Sequence, residues 1–146
     1  MDSIKRYRVA RIKTTSKKTG NANGILVPFW KDYDAIEKLL PRYVYYTTCL
    51  PGEDKGPYLH KKRRTLVALV EGRILFVHKD GGKFFEIDLN ADESTTVLDV
   101  PCKTGYLIRN KSGAIARLIN ICDCPWREGD DETESPDFKE YYGRTN

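Results

Sequence analysis

Histidine is scarce in this chain, with only His60 and His78 among 146 residues, so proton transfer near neutral pH has few places to reside. No stretch approaches the roughly 18 apolar residues a membrane span requires, which excludes a bilayer-crossing helix. The amino terminus, Met1-Asp2-Ser3-Ile4-Lys5-Arg6, lacks an apolar signal core, and a cytoplasmic location is expected. Cysteine is limited to Cys49, Cys102, Cys122 and Cys124, read as buried thiols rather than disulfides. The Cys122-Asp123-Cys124 spacing is too tight for a zinc knuckle, and no second Cys/His pair accompanies it. Charge of one sign is not in large excess. The net +4 suits an anionic small molecule as well as a weak nucleic-acid surface and selects neither. Strand-helix alternation and internal repeats are both missing, which argues against a doubly wound α/β fold.

What is present is a series of short β segments separated by turn signals. They run over Tyr7 to Thr14, Gly24 to Phe29, Arg42 to Leu50, Arg64 to Val70, Arg73 to His78, Lys83 to Leu89, Thr95 to Val100, Tyr106 to Arg109 and Ala114 to Ile121. Glu71-Gly72, Asp80-Gly81-Gly82 and Lys111-Ser112-Gly113 mark hairpins, because glycine accepts positive φ. A short helix is expected over Tyr33 to Leu40, capped by Asp32 and ended by Pro41. The whole, residues 1–146, reads as one all-β sandwich or barrel domain with one or two short helices. Its C-terminal segment 127–146 changes character: Glu128 to Pro136 is polar and acidic and reads as a solvated loop, and beyond it Phe138, Tyr141 and Tyr142 can dock a terminal helix or meet a second subunit.

The block Gly56-Pro57-Tyr58-Leu59-His60-Lys61-Lys62-Arg63-Arg64 runs directly into the apolar strand Thr65-Leu66-Val67-Ala68-Leu69-Val70. It sets a proton-transfer group beside anion-binding groups, which suits a phosphorylated substrate whose chemistry needs a base. The region from Gly52 to Asn110 resembles the cupins of the nucleotide-sugar epimerase and ketoisomerase group. Gly52, five residues, then Tyr58-Leu59-His60 and later Gly72 follow the first cupin motif; Pro101, Tyr106 and Asn110 follow the second. Arg42-Tyr43-Val44-Tyr45-Tyr46 is similar to the group's R-V-Y-Y strand, and Lys55-Gly56-Pro57-Tyr58-Leu59-His60-Lys61 to its R-G-x-H-x-H-K segment. The resemblance spans Gly24 to Trp126 and implies an all-β cupin jelly roll.

Where metal-binding cupins carry histidines and a glutamate, this chain has Tyr58, His60, Arg64 or Thr65, and Tyr106, a poor donor set for a divalent ion. The group's sugar-nucleotide members work without metal, and no cofactor is expected here. The resemblance implies isomerisation of a nucleoside-diphosphate 4-keto-sugar. A neutral histidine removes an acidified proton beside the carbonyl, and cations meet the enolate. Strand alternation points Tyr58, His60, Lys62 and Arg64 into one cavity. His60 is then the base, Tyr46 or Tyr106 the proton donor, and Lys62 or Arg64 the enolate partner. Lys55, Arg73 and Arg109 are candidates for the diphosphate, and Trp30 or Trp126 for stacking on the nucleoside base. His78, before a turn, is expected to be exposed.

With one histidine of H-x-H replaced by Tyr58, the reading leans to an epimerase acting through one base and one acid. A 3,4-ketoisomerase, or a non-catalytic cupin that binds a sugar nucleotide, is the alternative. The group also implies a homodimer paired through edge strands. Nucleic-acid binding rests only on the basic runs and ranks last, and no membrane partner is expected.

Overall fold

Strand formers between glycine-marked turns fold, in the computed structural model describing residues 4–30 and 38–145, into two packed antiparallel sheets and a ribbon. The first sheet runs in the order β1 (Lys5–Val9), β9 (Thr95–Val100), β6 (Thr65–Glu71), β11 (Ala116–Cys122) and β4 (Tyr43–Cys49). The second runs β12 (Thr133–Glu134), β5 (Asp54–His60), β10 (Gly105–Arg109), β7 (Arg73–Asp80) and β8 (Lys83–Asn90). Strands β2 (Ile12–Thr15) and β3 (Ala22–Leu26) form the ribbon, and α1 (Lys139–Thr145) closes the described chain. The strand expected from Tyr7 to Thr14 is broken at Ala10 and Arg11, where the Arg11 guanidinium bonds Thr95 and the carbonyl of Ala91. Most of the helix expected over Tyr33 to Leu40 lies outside the described residues; at its end Lys38 is in a turn. No helix among the described residues is long and apolar enough to cross a membrane.

Alternation divides each strand between two environments. Val67, Leu69 and Leu98 of the first sheet meet Ile74, Phe76, Tyr106 and Ile108 of the second in the main core. Leu66, Ala68 and Val97 face the other way and are covered by Phe29, Trp30 and Leu39. Burial on both faces explains why Thr65-Leu66-Val67-Ala68-Leu69 is uninterruptedly apolar after its threonine. On the outer face of the second sheet, Val77 and Leu107 pack under Phe138 and Tyr141.

The acidic segment is exposed over most of its length, as its composition suggests, but it is tied to the body. It crosses from the first sheet to the second, pairs as β12 with β5, and inserts Glu132 at 4% exposure. The α1 helix then docks on the outer face. Arg109 holds it there, bonded to Asp54 at 2.8 Å and lying over the rings of Tyr141 and Tyr142. The motif residue Asn110 is structural, donating to the carbonyls of Cys49 and Ala114 while its own carbonyl accepts the Gly52 amide. Gly52 adopts φ of +77° in that turn, a conformation glycine takes without strain.

Candidate active site

Strand β5 supplies one wall of a cavity through an irregularity in its pairing. Tyr58 pairs with Tyr106 and Lys55 with Ile108, so Gly56 and Pro57 together oppose Leu107 alone. This bulge resets the alternation, and Lys55 joins Tyr58 and His60 on the inner face. Tyr106 and Ile108 of β10 continue that wall.

The chain turns immediately after His60. The Lys61 amide donates to the Glu132 carbonyl, and the next two amides, of Lys62 and Arg63, donate to the Glu132 carboxylate at 3.2 and 2.9 Å. The turn brings Arg63 inward, to 4% exposure, with its guanidinium over the Tyr43 ring. Glu132 is thereby shared. Its Oε2 lies 3.3 Å from His60 Nδ1 and 3.6 Å from Arg63 Nη2 and accepts from Thr133 Oγ1 at 3.1 Å.

These contacts assign the imidazole. Nδ1 faces two acceptors, Glu132 Oε2 and Thr133 Oγ1 (3.0 Å), and so carries the proton. Nε2 is left with its lone pair and accepts from the Tyr106 hydroxyl at 3.1 Å. Burial, aided by the Arg63 charge and opposed by Glu132, holds the His60 pKa below its ordinary value, so the ring is neutral near pH 7. Burial drives the Tyr106 phenol well above the usual tyrosine range and raises Tyr58 in the same direction. Both phenols are therefore protonated donors at neutral pH.

Strand β4 forms the facing wall. Tyr43, Tyr45 and Thr47 point inward, with Asn120 of β11 beside Tyr45. The Asn120 amide donates to the Tyr45 hydroxyl at 3.0 Å, and burial pushes that phenol up to about 12. Lys55 Nζ donates to Thr47 Oγ1, bridging the walls. Trp126 stands half exposed among the lining residues. The cavity, open on one side, has a volume of about 290 Å³, at the small end of the range for ligand pockets.

Of the residues expected at the site, His60, Tyr58, Tyr106, Lys55 and Trp126 line this cavity and the others do not. Tyr46 sits one residue out of phase on β4, 55% exposed on the outer face, where its hydroxyl accepts from Arg117. Lys62 points to solvent, because strand alternation does not continue past the turn. Arg64 grips Asp99 side-on at 2.8 and 2.6 Å, away from the cavity. Arg73 pairs with Asp88 on the surface at 2.7 Å, and Arg109 serves the helix clamp. Trp30 covers the outer face of the first sheet. His78 is buried, not exposed, with its ring stacked on Phe85. Cys49 and Cys122 are buried as expected, whereas Cys102 is exposed and Cys124 half-buried.

Arg63, Glu132, Tyr43 and Tyr45 were not singled out in the sequence. Tyr43 and Tyr45 share strand parity with the buried Cys49, a usable but weak signal. Nothing local marks Glu132 among its acidic neighbours.

No protein-family model matches the chain, and no curated protein matches it in sequence. Solved structures do match in fold. A dTDP sugar isomerase from Desulfovibrio desulfuricans superposes with a TM-score of 0.79 at 19% identity, covering 97% of this chain and 88% of its own. ChmJ, a 3'-monoepimerase from Streptomyces bikiniensis in complex with dTDP-quinovose, gives 0.72 at 13% identity, over 90% of this chain and 68% of that one. QdtA, a sugar 3,4-ketoisomerase from Thermoanaerobacterium thermosaccharolyticum in complex with TDP, gives 0.70 at 16% identity, over 95% and 90%. The chain therefore has the cupin jelly-roll fold that these dTDP-sugar isomerising proteins share.

Proposed function

We propose that this protein is an isomerase of a nucleoside-diphosphate 4-keto-sugar, and that the carbonyl migrates between neighbouring ring carbons. The observation that carries the reading is the 3.1 Å hydrogen bond between His60 Nε2 and the Tyr106 hydroxyl. Inverting a carbon requires base and acid on opposite faces of the ring. Each must stand about 3–3.5 Å from the carbon, hence about 6 Å or more apart. His60 and Tyr106 are half that distance from one another and share a face. A same-face proton transfer between adjacent carbons, about 1.5 Å apart, suits them better.

His60 Nε2 takes the proton from the hydroxyl-bearing carbon next to the carbonyl, giving an enediolate. A tyrosine phenol relays the hydroxyl proton from one oxygen to the other. The imidazolium returns its proton to the former carbonyl carbon, leaving the carbonyl on the neighbour and a hydroxyl behind. Lys55, inside the cavity, meets the enediolate charge. Glu132 and Thr133 keep Nδ1 protonated and the lone pair on Nε2. A cavity of about 290 Å³ accepts the sugar, with the nucleotide passing over the edge toward Trp126.

A second reading, epimerisation, is supported by Tyr43 and Tyr45 on the wall facing His60, either of which offers a proton from across the cavity. Incubation with dTDP-4-keto-6-deoxyglucose in heavy water separates the two. A migrated carbonyl supports the first; inversion with deuterium at one carbon and an unmoved carbonyl supports the second. Turnover unaffected in His60→Asn overturns both, and binding without turnover points to a non-catalytic cupin.

A homodimer is part of this proposal. The ribbon strands leave Ile12, Ile25 and Leu26 half exposed, an apolar edge of the kind subunit pairing covers. Light scattering at micromolar concentration tests it, and a monomeric mass refutes it.

A further inference from the structure

Arg63 has no role in the reaction as written, yet it is one of the most buried cations in the chain and lies within the same cluster as the base. Its side chain is 4% exposed, and its Nε and Nη2 have no hydrogen-bond partner among the described residues. The nearest carboxylate oxygen, Glu132 Oε2 at 3.6 Å, is engaged instead with His60 Nδ1 and Thr133. A guanidinium is always charged, and burying it without good bonds costs stability, so a compensating use is expected.

The geometry points to Arg63 as a positioning residue that, by balancing Glu132 and by its own buried charge, keeps His60 free to accept a proton. Three groups meet on one carboxylate oxygen, and one of them, Arg63, carries a permanent charge. With Arg63 present, Glu132 is already balanced, and a second buried positive charge on the imidazole is repelled. Without it, Glu132 and a protonated His60 would form a closed ion pair, and the base would be spent before substrate arrived.

The other groups around His60 do not supply this effect. Burial raises the pKa of Tyr58 and Tyr106, from β5 and β10, and of Tyr45, from β4, so these phenols are neutral near pH 7. Lys55, the other cation lining the cavity, is directed to Thr47 on the facing wall. Lys61, next in the chain, is drawn outward to Asp131 and Glu134, at 3.2 and 3.3 Å. The lowered pKa of His60 follows the same logic, with burial the larger cause and Arg63 the next. The inference takes its functional meaning from the reading of His60 as a base.

The test is a direct NMR titration of the imidazole, which needs no substrate. A His78→Gln background leaves His60 as the single histidine. Arg63→Gln should raise its midpoint by about one pH unit or more, and Glu132→Gln should lower it. Arg63→Gln can fail to fold; the comparison is then repeated within Glu132→Gln, where the double variant leaves neither charge buried and must again titrate higher than Glu132→Gln alone. The acid limb of turnover should move with the midpoint. A midpoint indifferent to Arg63, or activity lost equally at every pH, overturns the inference. Midpoints that move as expected in a protein that turns over no keto-sugar uphold it and overturn the proposed reaction instead.

Discussion

Replacing Glu132 with alanine perturbs the fold and the site through one side chain. Its carboxylate accepts the amides of Lys62 and Arg63, and it is the only acid within reach of the buried Arg63 guanidinium among the described ion pairs. Hydrogen bonds to a charged acceptor contribute about 1.5–3 kcal/mol each. Stranding one member of a buried pair costs about 3–5 kcal/mol. These terms overlap on one group and do not add, so a net loss of about 3–5 kcal/mol is expected. Against a typical stability of about 5–15 kcal/mol this is severe, and for a chain of this size it lowers the melting midpoint by roughly 6–20 °C.

The loss also has a pH signature. Burial alone would raise the Glu132 pKa, but the Arg63 and Lys62 amides and the nearby charges of His60 and Arg63 outweigh it and hold it below the usual glutamate value. A depressed carboxylate stabilises fully above its unfolded pKa, about 4.3, and loses that contribution as pH falls through the lower folded value. The gap between parent and Glu132→Ala should therefore be widest near neutrality and close in acid. Urea unfolding at pH 7 and at pH 3 to 4 measures it. A loss under about 1 kcal/mol at neutral pH, or a gap that does not shrink in acid, would refute the assignment of Glu132 as the bond between turn, strap and base.

Three further outcomes follow from particular placements. His60 and His78 are both held below the ordinary histidine pKa, chiefly by burial, so the unfolded chain takes up protons first. Stability should fall as pH drops below about 6.5, and His78→Gln should flatten part of that slope in a calorimetric pH series. Tyr46→Phe should leave turnover within about twofold of the parent, whereas Tyr106→Phe, which removes the hydroxyl bonded to His60, should cost about 10²-fold or more in kcat. Phe138→Ala should cost about 3–5 kcal/mol by emptying the pocket beneath α1. Because Phe138 lies on the opposite face of the sheet from the cavity, nucleotide-sugar affinity in the folded protein should be unchanged by calorimetry.

Much of the fold was legible because burial imposes a period on strands. The apolar run of β6 and the glycine turn at Gly81-Gly82 each have a local cause, and both appear where the sequence places them. The site was legible in part. Tyr58 and His60 share parity on one strand, and Tyr106 lies opposite Tyr58 in register. Tyr46 was misplaced because β4 carries aromatic or aliphatic side chains on both faces, so its pattern does not say which parity is inside. Lys62 and Arg64 were misplaced because the strand ends at His60, and it ends there because Glu132 draws two successive amides into a turn.

What the amino-acid order determined alone is therefore local: where the apolar strand segments and glycine turns lie, that side chains alternate along them, and that an imidazole stands among phenols and cations. Tertiary structure decided which of those cations matter. The bulge at Gly56-Pro57 turned Lys55 inward, the turn after His60 exchanged Lys62 and Arg64 for Arg63, and a carboxylate 72 positions along the chain from His60 became its partner. Such long-range choices depend on how two sheets and a crossing strap fit together, and no short window of sequence contains that information.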